Sequence, residues 1–271
     1  MITHIESQLT PFYSPQEATD LAFWVLEETT GLSRAAISAR KDTQNISNIE
    51  IILKRLCKKE PIQYIFGHTL WFGLDLLVTK DTLIPRPETA ELVELILKTL
   101  PPNAPVSVLD IGTGSGAIAL ALKSRRPKWE VSAIDYSAAI LAIAKENAKR
   151  NGGLQVDFVQ RDILKAESER LGRFDVVVSN PPYICESEKV SMEANVLDYE
   201  PTSALFVPDE DPLLFYRRIA SMKAGKNLFF EINCRFGEEV AQLMRGEGYK
   251  DVKIHKDIYG KDRMVCGRIE E

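Results

Sequence analysis

The sequence predicts an α/β fold in which a mostly parallel sheet follows a small N-terminal helical bundle. Three observations carry this reading. Short apolar runs alternate with helical stretches from Val106 onward, a glycine-rich loop joins the first of these runs directly to a helix, and strand-like periodicity is absent before about Ile62. At 271 residues with 45% hydrophobic content, the chain is long enough for one large domain, or a medium domain with a small one.

Taken in order, Ser14-Pro15-Gln16-Glu17 is a capping box with proline at the first helical position. Ala18, Leu21, Ala22, Val25 and Leu26 follow on one face of an amphipathic helix. Further helical patterns cover residues 33–39 and 49–59. Between Gly67 and Pro85, Trp71, Phe72, Leu74, Leu76, Val78 and Thr79 are the residues of a hairpin or extended connector. A helix fits residues 88–100, because Glu88 and Glu91 suit its positive end and Leu92, Val93, Ile96, Leu97 and Leu100 share a face; Pro101-Pro102 stops it. Then come strand 106–111, helix 117–123, strand 131–135, helix 138–149, and strands near 156–159, 174–179, 227–232, 252–255 and 264–268. The last two are separated by a short turn around Tyr259-Gly260 and should pair antiparallel.

Composition narrows the function. A formal net charge of −5 opposes general affinity for a nucleic acid backbone. Cys57, Cys185, Cys234 and Cys266 show neither metal-binding nor disulfide-scaffold spacing and read as free thiols in a reducing cytosol. His4, His68 and His255 are too scattered for a histidine-based metal centre, so no metal is expected. No signal peptide or membrane span is evident, so a cytoplasmic protein without a membrane partner is expected.

Gly112-Thr113-Gly114-Ser115-Gly116 follows a strand and opens a helix, which places bare backbone at the carboxyl edge of the sheet, where ligands bind. Gly112, Gly114 and Ala117 also satisfy a dinucleotide fingerprint, so two cofactors compete. Asp110 tilts the reading to S-adenosylmethionine: a carboxylate two residues before the first glycine is ill placed beside a pyrophosphate and suits ammonium and sulfonium charge. Asp135, ending its strand, is expected to accept hydrogen bonds from two ribose hydroxyls. Asp162 is expected to accept from the exocyclic amine of adenine, with Ile163 against the ring.

The strand over 174–179 delivers Asn180-Pro181-Pro182-Tyr183 to the same edge, so cofactor and tetrapeptide should meet, with Asn180 touching both. An amide nitrogen is a poor nucleophile because its lone pair is delocalised; a site that methylates one must orient its NH₂. The Asn180 side-chain oxygen and the Pro181 carbonyl can each accept one N–H, the two prolines stiffen the loop, and Tyr183 can pack over the planar group. Positioning should therefore outweigh general base catalysis, with Asn180 and Pro181 as the catalytic pair.

Five blocks occur together: Leu83-Ile84-Pro85-Arg86-Pro87-Glu88-Thr89; Leu109 to Ala119 around the glycine loop; Val178-Ser179-Asn180-Pro181-Pro182-Tyr183-Ile184; Glu200-Pro201 with Ala204-Leu205; and Tyr259-Gly260 through Arg263 to Gly267-Arg268. In this combination the chain resembles the peptide-chain-release-factor glutamine methyltransferases over essentially its whole length. The tetrapeptide alone also admits adenine-N6 and cytosine-N4 DNA methyltransferases and guanine-N2 RNA methyltransferases, and the same chemistry serves a glutamine methyltransferase of a ribosomal protein. The resemblance implies a helical domain over 1–66 that helps dock a partner, a connector over 67–85, and a Rossmann-like, S-adenosylmethionine-dependent methyltransferase domain over 86–271 with a seven-stranded, mostly parallel sheet and one antiparallel strand. It implies a release factor as protein substrate, methylated on the glutamine of a Gly-Gly-Gln motif to N5-methylglutamine, with no direct nucleic-acid substrate. Ala90 and Asn233-Cys234-Arg235-Phe236 depart from the family pattern, and Arg86 is a candidate positioning residue.

Overall fold

The computed structural model describes residues 1–39, 48–165 and 171–270; the rest of the expected helical domain, residues 40–47, lies outside the described set. The described chain divides into two compact units, Met1–Gly67 with Glu193–Tyr199, and His68–Met192 with Glu200–Glu271.

The first unit contains α1 (Ile2–Leu9), α2 (Pro15–Thr30), α3 (Arg34–Ala39), α4 (Ile49–Leu56) and α5 (Ile62–Phe66). Helix α2 starts as its capping box predicts: the Ser14 hydroxyl accepts from the Glu17 amide at 3.3 Å, and Gly31, at φ 67°, ends it in the left-handed conformation. Ile5, Leu9, Ala22, Val25, Leu26, Ile37 and Leu56 are its solvent-free core. Helices α1 and α5 go beyond the sequence expectation. Each is short, and the Ile-Gln-Tyr-Ile-Phe composition of α5 is that of a strand. Packing of Ile5, Leu9 and Ile62 into this core overrides the local preference.

The second unit opens with the antiparallel hairpin β1 (His68–Trp71) and β2 (Leu74–Leu77). Phe72 and Gly73, at φ 51° and 81°, form a two-residue turn whose twist matches the flanking strands. There follow α6 (Pro87–Thr99), β3 (Ser107–Ile111), α7 (Ala117–Arg125), β4 (Glu130–Asp135), α8 (Ala138–Arg150), β5 (Val156–Gln160), β6 (Phe174–Ser179) and the short β7 (Ile184–Cys185). After α9 (Ala194–Tyr199), which belongs to the first unit, come α10 (Thr202–Leu205), β8 (Phe206–Val207), α11 (Leu214–Met222), β9 (Gly225–Glu231), α12 (Gly237–Gly246), β10 (Lys250–Lys256) and β11 (Asp262–Arg268).

Seven strands form one sheet in the order β10-β11-β9-β6-β3-β4-β5. Its adjacent pairs are parallel except at β11, which runs antiparallel to both its neighbours. The strands alternate between two buried faces. Val108, Val176 and Val178 pack with α6 and α7, while Leu109, Ile111 and Val177 pack with α11 and α12. Strand order reverses between β3 and β6, which lie side by side in register with Ile111 opposite Ser179. The loops leaving them run to opposite faces and open a crevice at their carboxyl ends.

Candidate active site

That crevice is a cavity of about 330 Å³, within the size range of small-molecule sites. It is lined by Gly112 to Ser115 and Asp135, by Asp162 and Ile163, and by Asn180, Pro181 and Pro182 from the loop after β6. The segment before α6 also lines it, through Asp81, Thr82, Leu83 and Pro85, and so does Thr89 on the first turn of α6.

The glycine loop is bent by left-handed backbone at Gly112, Gly114 and Gly116, with φ of 73°, 55° and 85°. The amides of Gly112 and Thr113 both donate to the Ile134 carbonyl, at 2.9 and 3.0 Å, tying the loop to the end of β4. Asp135 holds the loop as well: one carboxylate oxygen accepts from the Gly114 amide at 3.1 Å and the other from the Ser137 amide at 3.2 Å. Burial pushes its carboxyl above the ordinary range, opposed by these amide bonds. Asp135 also lines the cavity, where a carboxylate can accept from a diol.

Three residues expected in the site stand behind its walls. Asp110 is wholly buried and does not line the cavity. Its Oδ2 accepts from the Thr113 hydroxyl at 2.7 Å and from the Ala119 amide at 3.2 Å, so it staples the glycine loop to α7, and its Oδ1 has no partner among the described residues. Burial raises its carboxyl to about 7. Any influence on a cationic ligand is therefore through space. Gly116 caps α7, and a Cβ there would stand 3.1 Å from Leu120 Cδ1 and 3.2 Å from Ala144 Cβ, so its smallness serves the packing of α7 against α8. Tyr183 packs its ring against the core and gives its hydroxyl proton to Glu231 Oε1 at 3.1 Å, so it braces the tetrapeptide and does not line the cavity. Burial, then the Glu231 charge, push its phenol far up and keep it protonated.

Asn180 is held more tightly than the sequence indicates. Its Nδ2 donates to the Thr89 hydroxyl at 3.2 Å, and Thr89 in turn donates to Glu231 Oε2 at 2.7 Å. Glu231 ends β9, is 1% exposed, and is raised by burial against the opposing bonds from Thr89 and Tyr183 and the charge of Arg263. The sequence signal was present in Leu228-Phe229-Phe230-Glu231, an apolar strand ending on a carboxylate at the same sheet edge, and in the Thr89 of the Pro-Arg-Pro-Glu-Thr block. Asn233 completes the brace, its Nδ2 donating to the Tyr183 carbonyl at 3.1 Å and to Glu188 Oε2 at 3.0 Å. Arg86 pairs with the buried Glu200, whose other oxygen accepts from the Ile84 amide at 3.3 Å, so it anchors the segment that lines the cavity. Among the described residues no cluster of His, Cys, Asp or Glu could hold a metal, and no helix is long and apolar enough to cross a membrane.

A switch-point crevice with a glycine loop, an acidic strand end and an Asn-Pro-Pro-Tyr loop defines a Rossmann-like methyltransferase. Residues 91–197 match the Methyltransferase small domain family. The hMettl16 catalytic domain, crystallised with the MAT2A 3′UTR hairpin 6, shares the fold at a TM-score of 0.57 and 17% identity, over 74% of this chain and 77% of that one. Residues 1–67 match the PrmC N-terminal domain. The release factor glutamine methyltransferase of Bacteroides thetaiotaomicron is 43% identical over 97% of this chain and 96% of its own length, and that of Streptococcus pneumoniae is 46% identical over 80% and 78%. The chain belongs to the release factor glutamine methyltransferase family.

Proposed function

We propose that this protein methylates the side-chain amide of the glutamine in the Gly-Gly-Gln motif of peptide chain release factors, giving N5-methylglutamine, with S-adenosylmethionine as donor. The observation that carries the reading is the fixed Asn180 amide. With Nδ2 engaged by Thr89, Oδ1 is the end left for an incoming N–H, on a residue that lines the cavity. The Pro181 carbonyl is the second acceptor, and two acceptors specify a planar NH₂ in both position and tilt. The glycine loop and the Asp135 carboxylate fit the amino-acid and ribose portions of the donor, and Ile163 with Asp162 fits its adenine. When bound, S-adenosylmethionine supplies an electrophilic methyl group on a sulfonium. The residues of this chain hold the amide nitrogen in line with it, and the nitrogen proton, acidified as the new N–C bond forms, passes to water.

The helical unit is assigned to docking of the release factor, in a cytoplasmic enzyme with no nucleic-acid substrate. Incubation of the pure protein with labelled S-adenosylmethionine and release factors, followed by peptide mass spectrometry, tests this. The label is expected on the Gly-Gly-Gln glutamine. Label on a ribosomal protein or on RNA, with none on the release factor, would overturn the assignment.

A further inference from the structure

Behind the tetrapeptide lies a hydrogen-bond chain whose direction is set when Glu231 is ionised, the state that the bonds from Thr89 and Tyr183 and the Arg263 charge favour against burial. An ionised carboxylate only accepts, and a threonine hydroxyl has one proton. Thr89 gives that proton to Glu231 Oε2 at 2.7 Å, so towards Asn180, at 3.2 Å, its oxygen can only accept. The atom Asn180 turns to it must then be Nδ2, and Oδ1 must point the other way. The same carboxylate takes the Tyr183 proton on Oε1, so both ends of Asn180-Pro181-Pro182-Tyr183 are referred to one group. Glu231 is itself fixed: its carbonyl accepts from the Tyr216 hydroxyl at 3.0 Å, its residue pairs with Met264 on β11, and the next amide, Ile232, donates to the Arg263 carbonyl at 2.9 Å.

We propose that Glu231 is a positioning residue which, through the Thr89 hydroxyl, sets the direction in which the Asn180 side-chain amide faces, and so presents an acceptor rather than a donor to the substrate amide. This rests on the function proposed above for the cavity. A flipped Asn180 would aim its own NH₂ at the substrate NH₂, donor against donor, and the productive pose would be lost. Glu231→Gln permits the flip, because a glutamine amide can donate to Thr89 and free the threonine proton for Asn180 Oδ1. Thr89→Val keeps the shape and removes the relay, whereas Thr89→Ser keeps the hydroxyl.

The experiment compares the full-length wild type with Thr89→Val, Thr89→Ser and Glu231→Gln. It measures kcat and KM on a release factor, S-adenosylmethionine affinity by calorimetry, and the ¹⁵N side-chain amide resonances of Asn180. Thr89→Val and Glu231→Gln are expected to lower kcat about 100-fold, the scale of a misoriented reactant, with cofactor affinity near wild type. Thr89→Ser is expected to recover most of the rate. The Asn180 amide protons should exchange faster in Thr89→Val and regain protection in Thr89→Ser. Wild-type kcat in Thr89→Val, equal losses in the valine and serine variants, or amide resonances indifferent to Thr89 would each overturn the proposal. Because the resonances need no turnover, a wild type that leaves release factors unmethylated would sink the functional assignment while the relay is still judged on its own evidence.

Discussion

Replacing Asp110 with asparagine should lower the stability of the cofactor-free protein at acid pH and shift the balance in the variant's favour as pH rises from about 5 to about 8. Asp110 is wholly buried, with Oδ2 bonded to Thr113 and Ala119 and Oδ1 unpartnered among the described residues, and burial lifts its carboxyl from 3.8 to about 7. Between those values the folded protein keeps the proton that the unfolded chain has already released. This contribution is therefore fully present below pH about 4, falls as pH rises to about 7, and is level above that. From about pH 5 to about pH 8 the loss comes to about 3 kcal/mol, at 1.36 kcal/mol for each pH unit in which the two states differ by one proton. Asparagine escapes it, and its buried amide brings instead a cost of about 1–3 kcal/mol that does not vary with pH. Asp75 and Asp175, lowered in the folded state, act with the opposite sign below pH about 4 and stay outside the window. Glu231, raised like Asp110, is present in both proteins and cancels, whereas the Asp135 charge helps to raise Asp110 and is part of the difference between the two proteins. Urea unfolding of wild type and Asp110→Asn at the two pH values measures the change in the gap between them. A gap that does not widen in favour of Asp110→Asn at the higher pH refutes the reasoning.

Asn180→Ala removes one of two amide acceptors and should cut kcat roughly 100-fold with the fold and cofactor affinity retained, as read by single-turnover kinetics and calorimetry; unchanged turnover would remove Asn180 from its role. Asp135→Asn should weaken S-adenosylmethionine binding by about 1.5–3 kcal/mol, the scale of hydrogen bonds to a charged group, in isothermal titration. Gly116→Ala places a methyl 3.1 Å from Leu120 Cδ1 at a φ of 85° and should destabilise the protein by about 1–3 kcal/mol in thermal unfolding. If the cofactor affinity of that variant falls more than its stability does, Gly116 touches the ligand after all.

What could be read from the sequence was what neighbouring residues decide together. Gly112 and Gly114 sit at left-handed backbone that few other residues tolerate, and Asp135 ends, and Asn180 directly follows, a strand whose direction follows from the α/β alternation. Gly116 and Asp110 belong to the same motif, yet nothing in the spacing separates a glycine that lines the cavity from one that packs against Ala144, or a carboxylate in a cleft from one behind it. The relay was hidden for another reason. Thr89 lies 91 residues from Asn180 and 142 from Glu231, and they meet only because α6 and β9 border the same strand edge. Helix α5 shows the limit at the local scale, since one turn of β-favouring residues is settled by the core it joins.

The segment Glu193–Tyr199 gives the helical unit an unusual timetable. The unit starts at Met1, and its last piece, where the Tyr199 hydroxyl donates to the Lys58 carbonyl at 3.0 Å beyond α4, is translated only after most of the sheet strands. At about 5–20 residues per second, that piece follows Gly67 by roughly 6–25 seconds. Until that segment is made the bundle lacks one of its parts, and a fragment expressed as residues 1–67 would lack it permanently.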